Sequence, residues 1–209
     1  MAERQRRGRR RANDNATERS IAEAALRRFA DAGFDGASLR DIAAEAGVDV
    51  ALVSYRFGSK LDLWKAIVAR VGATMVERLR GVSRTETTDA GSALAAAMNA
   101  FIDINCDDDA IPRVLLRDAS HDPERAAWVF DHVSRPVLDE FLPLIERATA
   151  GGAVTAPIPA LFFLNFAYGL AGHVIRRATL ARLAPELADE AAFRAALRAT
   201  LVEPHFRHG

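Results

Sequence analysis

Apolar residues recur three or four positions apart along nearly the whole chain, and no alternating run rich in β-branched residues is long enough to argue for a strand. The expected fold class is all-α, with about nine helices. The first carries its stripe on Ile21, Ala22, Ala25, Leu26 and Phe29, with Thr17 as its cap and Gly33 ending it in a left-handed turn. Ser38 and Asp41 have capping-box spacing and open a two-turn helix with Leu39, Ile42, Ala43 and Ala46 on one face. Asp49 caps a second short helix, Val50 to about Arg56, which Phe57-Gly58 breaks. Ser59 with Asp62 repeats the capping-box spacing and starts a long helix carrying Leu61, Trp64, Val68, Val71, Met75 and Leu79.

The later helices are expected at roughly 90–106, 112–120, 123–150, 159–181 and 189–203. Pro136 and Pro143 are expected to bend or interrupt the third of these, because each lacks a backbone donor and crowds the preceding turn. The polar first sixteen residues lack the apolar surface to fold alone and are expected to form a basic flexible arm. The domain plan is 1–16 arm, 17–62 helix-turn-helix domain and 63–209 helical bundle.

The two short helices around Gly47-Val48-Asp49 are the most specific local signal, since the tight turn needs a residue that tolerates positive φ where Gly47 sits. Packing Leu39, Ile42, Val48 and Val53 inward leaves Val50, Ala51, Ser54, Tyr55 and Arg56 on the outside, with Lys60 nearby. Side chains so placed fit a DNA major groove and its phosphates. Thr17, Ser38 and Arg40, at helix starts of the same segment, complete the expected DNA contacts.

Several runs keep order and spacing over residues 17–63: Ala24-Ala25-Leu26, Phe29-Ala30-Asp31-Ala32-Gly33-Phe34, Ser38-Leu39-Arg40-Asp41-Ile42-Ala43, Ala46-Gly47-Val48, Tyr55-Arg56-Phe57-Gly58-Ser59-Lys60 and Leu63. In these the chain resembles the tetracycline-repressor (TetR) family of bacterial transcriptional regulators. The resemblance implies a DNA-binding domain followed by a ligand-binding and dimerisation bundle. It implies a phosphate contact for Lys60. The chain departs from the family pattern at Asp49, where Ser or Thr is usual, at Ser54-Tyr55 in place of paired Tyr, and at Arg56 in place of His.

Charge changes the picture only through its placement, because 28 basic residues balance 28 acidic ones. Arg4, Arg6, Arg7, Arg9, Arg10 and Arg11 crowd the N-terminal end against two acids, whereas 16 bases face 19 acids from residue 61 onward. The arm is thus a further candidate for phosphate contact. Its lack of an apolar segment argues against a targeting signal, and no apolar run approaches membrane-spanning length, so a cytoplasmic location is expected. Cys106 is the single cysteine, which leaves no disulfide framework or cysteine metal cluster. His205 and His208 make too weak a pair for a metal site, and no cofactor is expected.

In the bundle, Phe101, Asn105, Arg113, Arg117, His121, Trp128, His132, Phe162, Asn165, Phe166 and His173 are candidate ligand contacts, as aromatic walls with a few polar anchors. The small residues Gly169 and Gly172, with Tyr168 and Arg176, and Phe193, Leu197 and Leu201 on the last helix, are candidates for a homodimer interface. The function expected is a repressor released from a palindromic operator by a small, largely apolar ligand. The rivals are a ligand-independent nucleoid protein and an enzyme with a helical catalytic domain. No nucleophile elbow, phosphate-binding glycine loop or metal-binding HExxH pattern supports the enzyme.

Overall fold

The computed structural model describes residues 2–83, 89–118 and 122–206. Among these the chain is all-α: α1 Ala2–Gly36, α2 Leu39–Ala46, α3 Val50–Phe57, α4 Lys60–Ser83, α5 Ala90–Asp107, α6 Ala110–Asp118, α7 Pro123–Val129, α8 Arg135–Ala150, α9 Pro159–Ile175, α10 Arg177–Leu183 and α11 Glu190–Leu201. Extended backbone pairs only at an isolated bridge between Val154 and Phe206. No helix among the described residues is long and apolar enough to cross a membrane. The chain divides into two compact units, Met1–Ala69 and Arg70–Gly209. The division falls inside α4, some residues beyond the expected boundary after residue 62.

In the first unit α1 begins at Ala2, so the stretch expected as a flexible arm is helical and Thr17 lies inside the helix instead of capping it. The physical reason is cooperativity. Once the stripe of Ile21, Ala22, Ala25 and Phe29 is packed, each preceding Arg, Ala or Gln extends the helix without a new nucleus. The side chains of Arg4, Arg6, Arg7, Arg9, Arg10 and Arg11 lie outside the described residues. Gly33 kinks α1 with φ 74° and ψ 175°, and the helix resumes to Gly36. Ile21, Phe29, Ile42, Val53, Leu63 and Trp64 form the core of this unit. Phe34 stands edge-on to Trp64 at 6.3 Å and stacks on Phe29 at 6.1 Å.

The second unit buries a cluster of Phe101, Phe141, Phe163 and Phe166, with centroids 4.8–6.4 Å apart, against Leu94, Met98, Ile102 and Ile145. Three carboxylates cap helices of this unit: Asp89 accepts from the Ser92 N–H, Asp122 from Arg125 and Asp189 from Ala192. Arg194 of α11 ties into Asp103 and Asp107 of α5, and Arg198 joins it on Asp103. The expected 159–181 helix is split at Arg176 into α9 and α10.

Pro136 acts as expected and Pro143 does not. Between α7 and α8 the backbone forms a single π-turn, Phe130–Ser134, in which the Arg135 N–H donates to Phe130 O. Pro136 cannot donate to the His132 carbonyl four residues back, and that carbonyl faces Gly72 of α4. A Cβ at position 72 would drive into the His132 oxygen and the Val133 backbone, so only glycine lets α4 lie this close. Pro143 is exposed within α8, which runs on to Ala150.

Ser59 and Asp62 make the complete reciprocal cap of α4: the Asp62 N–H donates to Ser59 Oγ (3.1 Å) and the Ser59 N–H donates to Asp62 Oδ2 (3.0 Å). The Ser59 hydroxyl adds a bond to the same carboxylate, and these bonds hold the Asp62 pKa below its ordinary value. A depressed carboxylate pKa contributes stability above the unfolded pKa and loses it as pH falls through the folded one. Asp62→Asn should therefore lower the unfolding midpoint near pH 7 and leave it closer to wild type below about pH 4. Denaturant titrations of both proteins at the two pH values check this, and a pH-independent gap would remove the carboxylate from the account.

Candidate nucleic-acid interface and ligand cavity

The turn between α2 and α3 is set by Gly47, whose φ of 69° and ψ of 32° are left-handed, and whose N–H closes onto Ala43 O and Ala44 O. Ser38 caps α2, its oxygen accepting the Asp41 N–H at 3.1 Å. Asp49 caps α3 by accepting the Ala51 N–H at 2.7 Å. Ser20 of α1 donates to Ala46 O, pinning the end of α2. Arg27 and Arg28 both pair with Glu45, locking the same helix from the side.

One face of α3 is consumed by Val53, which is fully buried. The opposite face presents Val50, Ala51, Ser54 and Tyr55, all exposed, with Tyr55 at 84%. These four are among the residues expected on the outer side of this helix. Arg40 on α2 is exposed as well. The small side chains let the backbone come close to a surface, and Tyr55 projects beyond them.

Two residues expected to meet DNA have bonds inside the chain. Arg56 Nη1 donates to Glu18 and Nη2 donates to Asp14, leaving the side chain 23% exposed. Lys60 Nζ donates to Ala37 O (3.1 Å) and Asp35 O (3.5 Å) and lies 4.5 Å from the Phe34 ring centroid. It satisfies carbonyls left open where α1 ends. The sequence motif located both residues and said nothing of partners tens of positions away.

The second unit contains a cavity of about 660 Å³ including its mouth, lined by Met75, Phe101, Asn105, Pro112, Leu115, Leu116, Val129, Val133, Ser134, Val137, Phe163, Leu164, Ala167, Tyr168 and Ala171. Walls come from α4, α5, α6, α7, the π-turn, α8 and α9. No charged side chain lines it. Asn105 is buried and uses its Nδ2 on Phe101 O (2.8 Å), which turns its carboxamide into the main polar feature of the wall. This size and polarity suit a long apolar molecule.

Of the expected ligand contacts, Phe101 and Asn105 are among the residues that line this cavity. Phe166 is core, Phe162 meets His205, and Asn165 faces outward. His132 stacks on Trp128 at 3.8 Å with Nδ1 against Trp128 O, and His173 Nδ1 meets Gly169 O. Arg113 pairs with Asp109, Arg117 is exposed, and His121 lies outside the described residues. The missed lining is aliphatic, and its periodicity is that of any buried face. Cys106 is half-buried, and burial pushes its thiol pKa up against the pull of nearby Arg194, so it stays a thiol.

The expected dimer residues also divide. Phe193 and Leu197 are buried within the chain, and Gly169 lies under Leu201. Tyr168 and Arg176 are exposed, and a Cβ at Gly172 would meet nothing within 4 Å. Leu161, Asn165, Tyr168 and Gly172 thus form one outward stripe along α9.

Residues 21–67 match the model of the bacterial regulatory proteins of the tetR family. Over 102 residues the chain is 35% identical to the HTH-type transcriptional activator FasR of Mycolicibacterium smegmatis, a match spanning 48% of this chain and 46%, about half, of that protein. The fold is shared with the fatty acid degradation regulator FadR of Bacillus halodurans, with TM-score 0.71 and 19% identity over 89% of this chain and 98% of that one. It is shared too with a transcriptional regulator FadR of Bacillus subtilis solved in complex with stearoyl-CoA, at TM-score 0.66 and 16% identity over 89% and 98% of the two chains.

If the cavity accepts apolar molecules, the neutral dye N-phenyl-1-naphthylamine should brighten on binding. Ala167→Phe, which places a ring in the space, should weaken that binding about tenfold or more, by the roughly 1.4 kcal/mol that a tenfold change represents. A dye titration beside a melting curve checks it, and unchanged affinity in a folded variant would mean the dye binds elsewhere.

Proposed function

We propose that the chain, whose residues 21–67 match the model of the tetR-family regulators, is a cytoplasmic, homodimeric transcriptional repressor that leaves a palindromic operator when a long apolar ligand fills the second unit. The observation that carries the DNA reading is the outer face of α3, where Val50, Ala51, Ser54 and Tyr55 are exposed opposite fully buried Val53. A short helix with a rigid buried side and a small, polar and aromatic free side is what a major groove accepts.

The ligand reading is supported by the uncharged cavity wall and by Met75, which brings α4 into that wall. The same helix begins at Lys60, right behind α3. A ligand that fits one setting of α4 better than another changes the operator affinity by that difference and by nothing more. Fatty-acyl chains are the favoured class, since a fold neighbour was solved with stearoyl-CoA and the walls here are aliphatic and aromatic.

Selection of genomic fragments by the full-length protein, followed by competition against random duplex at one salt concentration, tests the reading. Selected fragments should win, Tyr55→Ala should erode that preference by about tenfold, in line with the roughly 1–3 kcal/mol carried by a good base-edge contact, and stearoyl-CoA should release the fragment. Equal binding to random duplex would favour a purely salt-driven nucleoid role. Release by no acyl ligand would remove the effector class and leave the DNA reading standing.

The dimer reading is supported by the stripe of Leu161, Asn165, Tyr168 and Gly172, a largely apolar and small-residue face where, among the described residues, a Cβ at Gly172 would meet nothing within 4 Å. Leu161→Asp should shift the sedimentation coefficient from that of a dimer to that of a monomer. A variant that remains dimeric would move the interface off α9.

A further inference from the structure

Arg56 sits in the last turn of α3, and its guanidinium spans two carboxylates of α1: Nη1 to Glu18 Oε1 at 2.5 Å and Nη2 to Asp14 Oδ1 at 2.7 Å. Asp14 and Glu18 are four residues apart, one above the other on the same face of α1, so the planar fork of an arginine can hold both at once. Its Nε is shielded from solvent without a partner, whereas the two carboxylates are nearly half-exposed. Exposed ion pairs of this kind add little to global stability. Their effect here is on direction.

Two consequences follow from where the clamp lies. Asp14 and Glu18 would otherwise bring two uncompensated negative charges to the end of the recognition helix, where phosphates must approach. Also, α1 continues past the clamp to Ala2 and carries Arg4, Arg6, Arg7, Arg9, Arg10 and Arg11 in that extension. Ten residues of helix separate Asp14 from Arg4, a reach of about 15 Å at roughly 1.5 Å per residue. That exceeds the roughly 12 Å width of a major groove. The extension is thus long enough to span from the groove that α3 is read as entering to a bordering phosphate strand.

We propose that Arg56 is a positioning residue and not a phosphate ligand: by clamping Asp14 and Glu18 it fixes the line along which α1 leaves the recognition helix, and so delivers the arginine-bearing extension to the DNA backbone. This rests on α3 being the recognition helix. The clamp and the extension then work as one unit, and the extension reaches phosphates only while the clamp is closed.

The competing role, Arg56 binding phosphate itself, predicts the opposite sign. Asp14→Asn with Glu18→Gln removes two negative charges and frees Arg56, so direct binding of phosphate would give tighter association with DNA. The clamp gives weaker association. Four full-length proteins decide it: wild type, the Asp14→Asn/Glu18→Gln variant, a deletion of residues 2–11, and the combination. Each is titrated on a selected operator fragment across salt concentrations, with a melting curve to confirm folding.

In the expected result the double variant has a shallower log–log salt slope, by about 0.9 for each phosphate it no longer neutralises. The deletion is shallower too, and the combination is no shallower than the deletion alone. Arg56→Lys, which keeps the charge and removes the two-pronged fork, falls between wild type and the double variant. Should the double variant fail to fold, Glu18→Gln alone takes its place, with a slope change of the same sign. A steeper or unchanged slope, or effects that add in the combination, overturns the clamp while the DNA-binding reading survives. Wild-type protein that shows no preference for any fragment overturns that reading and the clamp's role with it.

Discussion

A helix has one face to bury, and what it can do is decided by the residues left on the other. In α3 the buried face narrows to Val53, fully enclosed against a unit whose core is Ile21, Phe29, Ile42, Leu63 and Trp64. With that side fixed, Val50, Ala51, Ser54 and Tyr55 have nowhere to point but outward. In α9 the buried face is Phe163, Phe166, Leu170 and Val174, which puts Leu161, Asn165, Tyr168 and Gly172 outside. One rule about apolar burial thus leaves both of these outward faces exposed.

The parts of this arrangement that were legible in sequence are those decided within one or two turns. Ser38, Asp49 and Ser59 with Asp62 announce helix starts because a cap bonds a backbone N–H two or three residues on. Gly47 announces its turn because no other residue adopts φ near 69° cheaply. The parts that were not legible depend on partners far along the chain. Arg56 and Lys60 have motif positions that point toward phosphate, yet their charges are held by Asp14, Glu18, Asp35 and Ala37. Phe193 and Leu197 carry the same 3–4 spacing whether they face their own α5 or another subunit. Only the fold shows that they are already covered.

The cavity was hidden for a related reason: its walls are chemically core residues. Leu115, Val133, Val137, Leu164 and Ala171 differ from true core only in having empty space on one side. A backbone defect borders that space. Pro136 withdraws a donor from the His132 carbonyl, the chain widens into a π-turn, and Val133 and Ser134 are carried into the wall. That carbonyl then lies against Gly72, where a bare Cα is the only group that fits. Proline and glycine, about sixty residues apart in sequence, are therefore two halves of one packing solution.

That solution bears on how a ligand acts. Met75 lies one turn beyond Gly72 on α4, so the helix is fastened to the π-turn at one point and forms cavity wall at the next. A molecule entering between Met75 and Val133 meets two surfaces that cannot approach further, because backbone already touches backbone at Gly72. The strain of accommodating it must be taken up by moving α4 and the π-turn together or by reshaping the aliphatic walls around them. An aliphatic wall reshapes cheaply through rotamers, whereas a glycine packed against backbone does not. Long, slender apolar molecules, which thread between side chains, would leave α4 where it is, and those with enough girth at the level of Met75 would displace it. On the proposed reading, girth at that level, more than total apolar area, would separate a ligand that moves α4 from one that merely binds.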